Sequence, residues 1–221
     1  MSSSMNDWAK YHIAVSRNWK LLSMHTVDLF IQVSGHNSAT TQPGLSISSD
    51  ARKFATQFLD NHCIDDCTGI VGLHTGASTE EKQWPLSYFL RMSKILLETD
   101  PSLRIICYGT EKVKPHADYL RKYLGDGIID ATGKTDIMQL AALLEKTDVL
   151  VSNDTGPMHL AAACGTRVVS IHTGKERCIT TGPYGPGHIA IEPNIACHPC
   201  ERPDKCHSRE CGRLILSLIH I

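Results

Sequence analysis

Short apolar runs alternate with amphipathic segments along the chain from residue 69 onward. The runs are apolar through their middles, as in strands covered on both faces, and the segments between them have the period of helices. This alternation predicts an α/β fold with a doubly wound, mostly parallel sheet. The predicted strands are Ile70–His74, Arg104–Tyr108, Ile128–Asp130, Val149–Ser152, Arg167–His172 and His188–Ile191, and the predicted helices span about Leu86–Glu98, Lys114–Tyr123, Ile137–Glu145 and Pro157–Cys164.

The residues before this pattern differ from it. His25–Gly35 has the apolar spacing of a short helix, whereas Asn37–Ser48 is polar and has the composition of a linker. Ser49 and Asp50 are placed to cap a helix over Ala51–Asn61. We therefore expect a single large domain that is preceded by a linker.

The chain divides into three parts on this reading. Residues 1–48 are expected to be the remnant of a preceding domain followed by a linker, and residues 49–215 form the sheet domain. Residues 216–221, LSLIHI, match the translation of a commonly used sequencing adapter and are suspected to be a non-biological tail.

One junction between a predicted strand and a predicted helix carries most of the candidate chemistry, VLVSNDTGPMHLAAACGT at residues 149–166. In open α/β sheets ligands bind at such junctions, and a helix N-terminus attracts phosphate through its unpaired N–H groups and partial positive charge. Asp154 is placed to cap the helix. Thr155 and Gly156 allow close approach of an anion, and His159 lies about one turn further along. The stretch predicts a cradle for a nucleotide diphosphate, with a plain Asp-capped helix as the alternative.

The first predicted strand leads into a second cluster, HTGASTEEKQWP at residues 74–85. Its small residues, Ser78 among them, expose donors at a strand end, and Lys82 can place a cation at the same spot. A plain turn explains such a loop equally well. Both clusters end at one edge of the sheet, which favours a shared anion site. On a neighbouring turn Glu111 is a candidate partner for ribose hydroxyls, with a solvated glutamate as the alternative.

Composition narrows the class of partner. The chain has 221 residues with 22 basic and 23 acidic side chains, so nothing suggests a nucleic-acid surface or a polybasic membrane patch. No apolar run approaches the roughly 18 residues of a membrane span, and the first residues lack the layout of a secretory signal. We therefore expect a cytoplasmic protein.

The cysteines raise a separate question. Nine occur at irregular positions, as expected of reduced thiols in a cytosolic protein. Only the last four have the spacing of a site, Cys197-x2-Cys200-x5-Cys206-x4-Cys211. The first pair is a credible zinc knuckle and the second is less regular. A structural zinc site is one interpretation, and free thiols or a redox-labile pair is the other.

With these clusters in view, the chain resembles the C-terminal half of glycosyltransferase family 9. These bacterial heptosyltransferases move heptose from ADP-heptose to the inner core of lipopolysaccharide. The matching segments are GASTEEKQWP at residues 76–85, TGKTDIMQLAALLEKTDVLVSNDTGPMHLAAACGT at residues 132–166 and the Cys-rich ending. The resemblance implies the C-terminal, nucleotide-sugar-binding domain of a GT-B fold, in which two Rossmann-like domains face each other and no metal or other cofactor is used.

The resemblance also implies roles for individual residues. Those of the strand–helix junction surround the diphosphate and the sugar, Thr135 lies by the adenine, and Ser78 and Lys82 neutralise the departing ADP. Lys82 is the candidate catalytic residue, because cationic groups then do the work that a metal does elsewhere. With Glu111 for the ribose, the candidate substrate-binding residues are Ser78, Lys82, Glu111, Thr135, Asp154, Thr155, Gly156 and His159.

The parent enzyme is expected to bind ADP-heptose as donor and the lipopolysaccharide core as acceptor, at the cytosolic face of the inner membrane, where peripheral association is compatible with the sequence. The acceptor domain and its catalytic carboxylate are expected outside this chain, so the chain is expected to bind the donor and to transfer little sugar alone. Residues 173–176, Thr-Gly-Lys-Glu, replace the Gly-Pro-Thr turn of relatives, which leaves the donor sugar open.

Two other functions remain open at this stage. One is another nucleotide-sugar enzyme with paired domains, a UDP-sugar transferase or an epimerase. The other is a stand-alone nucleotide-binding module. A preference for ADP favours heptosyl transfer, and a preference for UDP favours the other enzymes.

Overall fold

The computed structural model describes residues 7, 10–11, 24–34, 44–65, 67–174, 177–200, 206 and 208–218. Within these ranges one sheet contains six parallel strands, and both ends of each strand lie within one residue of the predicted ends. The doubly wound α/β fold is therefore confirmed. The strands are β1 Ile70–His74, β2 Arg104–Cys107, β3 Ile128–Asp130, β4 Val149–Asn153, β5 Arg167–Ile171 and β6 Ile189–Ile191.

Helices connect and flank the strands. The predicted helices are all present, and short 3-10 turns at Glu80–Lys82, Glu111–Val113 and Gly125–Gly127 were not predicted because a single turn has no period to detect. Helix α7 escaped prediction for the same reason. The helices are α1 Thr26–Val33, α2 Ser49–Asn61, α3 Leu86–Thr99, α4 Lys114–Leu124, α5 Ile137–Glu145, α6 Gly156–Ala163, α7 Cys178–Thr181 and α8 Glu210–Leu218.

The caps of α2 and α5 show how local sequence sets helix boundaries. Ser48, and not the predicted Ser49 or Asp50, caps α2, because its hydroxyl accepts from the backbone N–H of Ala51 at 3.2 Å. Asp136 caps α5 in a capping box whose other half is the Gln139 side chain.

The sheet is covered on both faces, which explains its apolar strands. Successive side chains of a strand point to opposite sides, so Ile70 and Val71 belong to different cores. The first core contains Leu150 and residues of α2, α5 and α6. The second contains Val151, residues of α3, α4 and α8, and the fully buried Trp84.

The strand order locates the expected ligand crevice. The order is β3-β2-β1-β4-β5-β6, so the chain winds in one direction from β1 to β3 and in the other from β4 to β6. β1 and β4 pair in parallel, with His74 opposite Ser152 at their carboxyl ends. Ligands of doubly wound sheets bind outside the carboxyl ends at this reversal of direction. Both predicted clusters follow these two strands.

Helix α1 packs on the sheet domain. Its Leu29 is buried, the His25 imidazole is hydrogen-bonded to the Gly182 carbonyl at 2.9 Å, and the Thr26 hydroxyl donates to the Thr180 carbonyl at 2.8 Å. Most of the predicted linker and the first residues of the chain lie outside the described residues, so the domain division stays a prediction. None of the described helices is both long and apolar enough to cross a bilayer.

Replacing Leu150 by alanine is expected to lower the free energy of unfolding by about 2–5 kcal/mol, because the side chain is fully buried in β4. Urea unfolding measures the change. The matched control is I95A on α3, where the side chain is 44% exposed and the expected loss is about 1 kcal/mol or less. Equal losses in the two variants would contradict the described packing.

Candidate functional site

A cavity of about 750 Å³ opens at the carboxyl edge of the sheet, where the loops after β1 and β4 meet. The turns after β2 and β3 form its far wall, and the first turn of α6 closes one side. The two sequence clusters therefore face a common space. The predicted residues that line it are Ser78, Lys82, Thr135, Asp154, Thr155, Gly156 and His159.

Asn153 at the end of β4 holds the two clusters together. Its side chain is fully buried, its Oδ1 accepts from the backbone N–H of Trp84 at 3.0 Å, and its Nδ2 donates to the carbonyls of Thr75 at 3.0 Å and Gly76 at 3.1 Å. One side-chain amide thus satisfies three backbone groups of the loop that carries Lys82, two before that lysine and one after it. Asn153 belongs to the first sequence cluster, where no role was predicted for it.

The Lys82 side chain reaches into the cavity from the 3-10 turn. Its Nζ lies 3.3 Å from Oδ2 of Asp154, and the two side chains are 19% and 7% exposed. The turn is also held from the β5 side, because the Thr173 hydroxyl donates to the Glu81 carbonyl at 2.8 Å. The cation is therefore positioned by backbone contacts and by a carboxylate in a partly desolvated site.

Asp154 does not cap α6, so that part of the prediction was wrong. Thr155 is the N-cap and makes no side-chain capping bond, its hydroxyl being engaged with the Asn153 carbonyl at 3.2 Å. Asp154 turns instead toward Lys82. The N-terminus of α6 thus faces the cavity without a capping side chain among the described residues, which suits an anionic ligand.

Two histidines border the cavity. Burial lowers the pKa of His74, whose Nδ1 is hydrogen-bonded to the Tyr108 carbonyl at 3.0 Å. Desolvation also lowers the pKa of His159, and the negative charge of Asp154 opposes this effect. Both imidazoles are consequently neutral at neutral pH and supply hydrogen-bonding groups beside the Lys82 amine.

Glu111 was predicted to bind substrate but does not line the cavity, although its neighbours Thr110 and Lys112 do. Its side chain is 71% exposed, and its carboxylate lies 3.6 Å from the Lys114 amine. A Cβ built on Gly133 would fall 2.1 Å from that carboxylate, so Glu111 rests on the turn that leads to Thr135. Its contact with a ribose stays a prediction.

Several lining residues were missed by the sequence analysis. Those in the turns after β2 and β3 follow strand ends, and that position in the sequence could have identified them. Thr181 lies in α7, and no sequence pattern pointed to it. Lys112 adds a second cation to the wall. The sequence clusters and turns already contained His74, Gly76, Ala77, Gly109, Thr110 and Pro157, and the lining residues that were missed are Lys112, Val113, Asp136, Ile137, Leu140 and Thr181.

The sequence model of glycosyltransferase family 9 (heptosyltransferase) matches residues 2–209. The chain belongs to this family. Among curated relatives, the lipopolysaccharide core heptosyltransferase OpsX of Haemophilus influenzae is 29% identical over 172 residues, which are 73% of this chain and 46% of the relative. This chain spans about half the length of the curated relatives that it matches.

Solved structures support the fold assignment for this family 9 chain. A family 9 glycosyl transferase from Veillonella parvula superposes with a TM-score of 0.70 at 24% identity, over 77% of this chain and 49% of that one. The Escherichia coli heptosyltransferase WaaC with ADP-2-deoxy-2-fluoro heptose gives 0.57 at 19% identity, over 87% and 53%. Both superpositions show that these solved structures share the fold of this chain.

The four cysteines with site-like spacing all line a second cavity, of about 290 Å³. Within the described part of this family 9 chain, no three His, Cys, Asp or Glu side chains are arranged to hold a metal ion. The thiols therefore converge on one space without forming a ligand set. The zinc interpretation and the free-thiol interpretation both stay predictions.

Replacing Asn153 by alanine is expected to lower the free energy of unfolding by about 2–4 kcal/mol, because three backbone groups lose a buried partner. Thermal or urea unfolding measures the loss. Y108F removes one buried hydrogen bond, to Thr147, and is the control, with an expected loss of about 1 kcal/mol. If N153A is no less stable than Y108F, Asn153 is not the cross-link described.

Stability is expected to fall as the pH drops below the ordinary imidazole pKa of 6.5, because burial lowers the pKa of His74 and His172 in the folded chain. The unfolded chain then binds more protons, so protonation favours unfolding. Melting temperature measured from pH 7.5 to 5.5 checks the slope. H172Q should flatten it, and an unchanged slope in H172Q would refute the assignment.

Proposed function

We propose that this chain is the donor-binding part of a lipopolysaccharide heptosyltransferase and binds ADP-heptose through its pyrophosphate. The observation that carries the proposal is the convergence of the Lys82 turn, the Asp154 turn and the N-terminus of α6 on one cavity. This convergence lies where doubly wound sheets bind nucleotides.

The charges of the cavity suit a pyrophosphate. Lys82 and Lys112 supply two cations, and the N-terminus of α6 adds backbone donors and a favourable dipole. A diphosphate that enters between Lys82 and α6 takes over part of the ion pairing that Asp154 provides. The same groups then stabilise the charge that develops on ADP as the bond to the sugar breaks.

The other end of the cavity suits a nucleoside. Thr135, Ile137 and Leu140 form a partly apolar wall on the β3 side, and Ile137 is 69% exposed there. An exposed isoleucine in a cavity wall offers a surface for a base. The distribution of polar and apolar groups thus orients the donor with its base toward α5 and its phosphates toward α6.

The relatives support heptose as the transferred sugar. The 29% identical protein from Haemophilus influenzae is named a lipopolysaccharide core heptosyltransferase, and a solved heptosyltransferase of the same fold carries ADP-2-deoxy-2-fluoro heptose. We place the lipopolysaccharide acceptor and the base that activates its hydroxyl in the part of those relatives that this chain does not match. Donor binding and sugar transfer are therefore separable properties.

Titration calorimetry with ADP, UDP and GDP tests the proposal on the purified chain. ADP is expected to bind most tightly, and K82A to weaken it by about tenfold or more, the effect of losing one hydrogen bond to a charged group. K94A on α3 is the control, because the Lys94 amine pairs with Glu98 on the surface. The affinity of K94A for ADP should equal that of the unsubstituted chain. A preference for UDP, or equal losses in K82A and K94A, would contradict the proposal.

A further inference from the structure

His74 is a cavity residue to which the proposed function gives no part. It is the last residue of β1, and β1 lies between β2 and β4, so His74 stands near the middle of the carboxyl edge of the sheet. The residue lines the cavity at that edge and is only 7% exposed. A polar side chain that is so deeply buried normally has a hydrogen-bond partner for each of its polar atoms.

One of the two ring nitrogens already has its partner. Nδ1 lies 3.0 Å from the carbonyl oxygen of Tyr108, which follows β2. A carbonyl oxygen can only accept, so Nδ1 carries the hydrogen of this bond. Burial lowers the pKa of His74, so the ring is neutral at neutral pH and carries no second hydrogen. Nε2 is therefore a hydrogen-bond acceptor.

The surroundings of Nε2 leave this acceptor to a ligand. Among the described residues no group donates a hydrogen bond to it. A Cβ built on Gly76 would lie 3.3 Å from Nε2, and one built on Gly109 would lie 3.4 Å from Nδ1, so the two glycines keep the ring edge uncovered. Val113 is the other close neighbour of both glycines, and its side chain has no polar atom. A donor for Nε2 has to come from the contents of the cavity.

Two helix N-termini at the cavity set the direction in which a nucleotide diphosphate lies. Asp136 caps α5 and accepts from the backbone N–H groups of Met138 and Gln139, both at 2.8 Å, so that terminus is satisfied and has a negative charge beside it. The N-terminus of α6 has no side-chain capping bond. Phosphates therefore favour α6, next to Lys82, over α5.

The sheet order then places one part of the nucleotide in front of His74. The phosphate end lies beyond β4 and the base end beyond β3, and β1 lies between these two strands. The ribose connects the phosphates to the base, so it falls near the end of β1. Its hydroxyls can donate a hydrogen bond, whereas ionised phosphate oxygens can only accept and are repelled by a second acceptor.

We propose that His74 is a specificity-determining residue of the donor site, whose Nε2 accepts a hydrogen bond from a ribose hydroxyl of the bound nucleotide. This inference rests on the proposed function and extends it from the pyrophosphate to the sugar of the nucleoside. Ribose has two hydroxyls, so the contact predicted for Glu111 does not compete with this one. The site then distinguishes a ribonucleotide from the deoxynucleotide that lacks the bonded hydroxyl.

Titration calorimetry of the full chain with ADP, 2′-deoxyADP and 3′-deoxyADP tests the proposal. Loss of the hydroxyl that faces His74 is expected to weaken binding about fivefold, the effect of one neutral hydrogen bond. H74N retains an amide N–H for the Tyr108 carbonyl but has no acceptor at the position of Nε2. In H74N, ADP should bind as weakly as that deoxynucleotide, and the penalty for the missing hydroxyl should disappear.

H62N is the matched control. The His62 imidazole is also hydrogen-bonded through Nδ1 to a backbone carbonyl, that of Phe58 at 2.7 Å, but it does not line the cavity. H62N should bind ADP and both deoxynucleotides with the affinities of the unsubstituted chain. Urea unfolding of the two variants checks that both are folded.

Nuclear magnetic resonance of the unsubstituted chain with ¹⁵N-labelled histidine gives a second test that needs no variant. The His74 resonances should show a hydrogen on Nδ1 and none on Nε2 before nucleotide is added. Addition of ADP should shift the Nε2 resonance, and the weaker-binding deoxynucleotide at saturation should shift it less.

Three results would overturn the proposal. They are equal affinities for ADP and both deoxynucleotides, a hydroxyl penalty that is the same in H74N as in the unsubstituted chain, and a hydrogen on Nε2 before nucleotide is added. A chain that binds none of the three nucleotides refutes the proposed function together with this inference. Binding of ADP without dependence on either hydroxyl refutes this inference alone.

Discussion

The candidate site depends on one buried amide. Asn153 at the end of β4 makes three hydrogen bonds to the loop after β1. Its Oδ1 accepts one of them and its Nδ2 donates the other two. Without it, the backbone groups of Thr75, Gly76 and Trp84 would need other partners in a site with little water. The position of Lys82 therefore follows from a residue that does not touch the cavity.

The pair of Lys82 and Asp154 illustrates how the site keeps a cation available. Removing a charge from water is costly unless an opposite charge compensates it, and both side chains are largely buried. Asp154 compensates Lys82 and directs it into the space between the two loops. An anionic ligand can then share that cation at little reorganisation cost, because the cation is already in place.

The Lys82 turn has different chemistry on its two faces. Its front contributes Lys82 to the cavity at the carboxyl edge of the sheet, and its rear contributes Glu80 and Trp84 to the second cavity, which the four cysteines also line. Trp84 also anchors α8, since its indole N–H donates to the Gly212 carbonyl at 3.0 Å. The Cys-rich segment and the cavity at the carboxyl edge of the sheet therefore lie on opposite faces of the same turn.

The sequence by itself determined the fold and the location of the candidate site. Apolar periodicity predicted all six strands of the described residues because burial on both faces leaves a strong local signal, and the small and charged residues after β1 and β4 predicted the sheet edge at which the cavity opens. Only the tertiary structure decided that Asp154 turns to Lys82 rather than capping α6, that Asn153 is the cross-link, and that the cysteines lie behind the turn. The physical reason is that these outcomes depend on which groups meet across strands distant in sequence, and periodicity contains no such information.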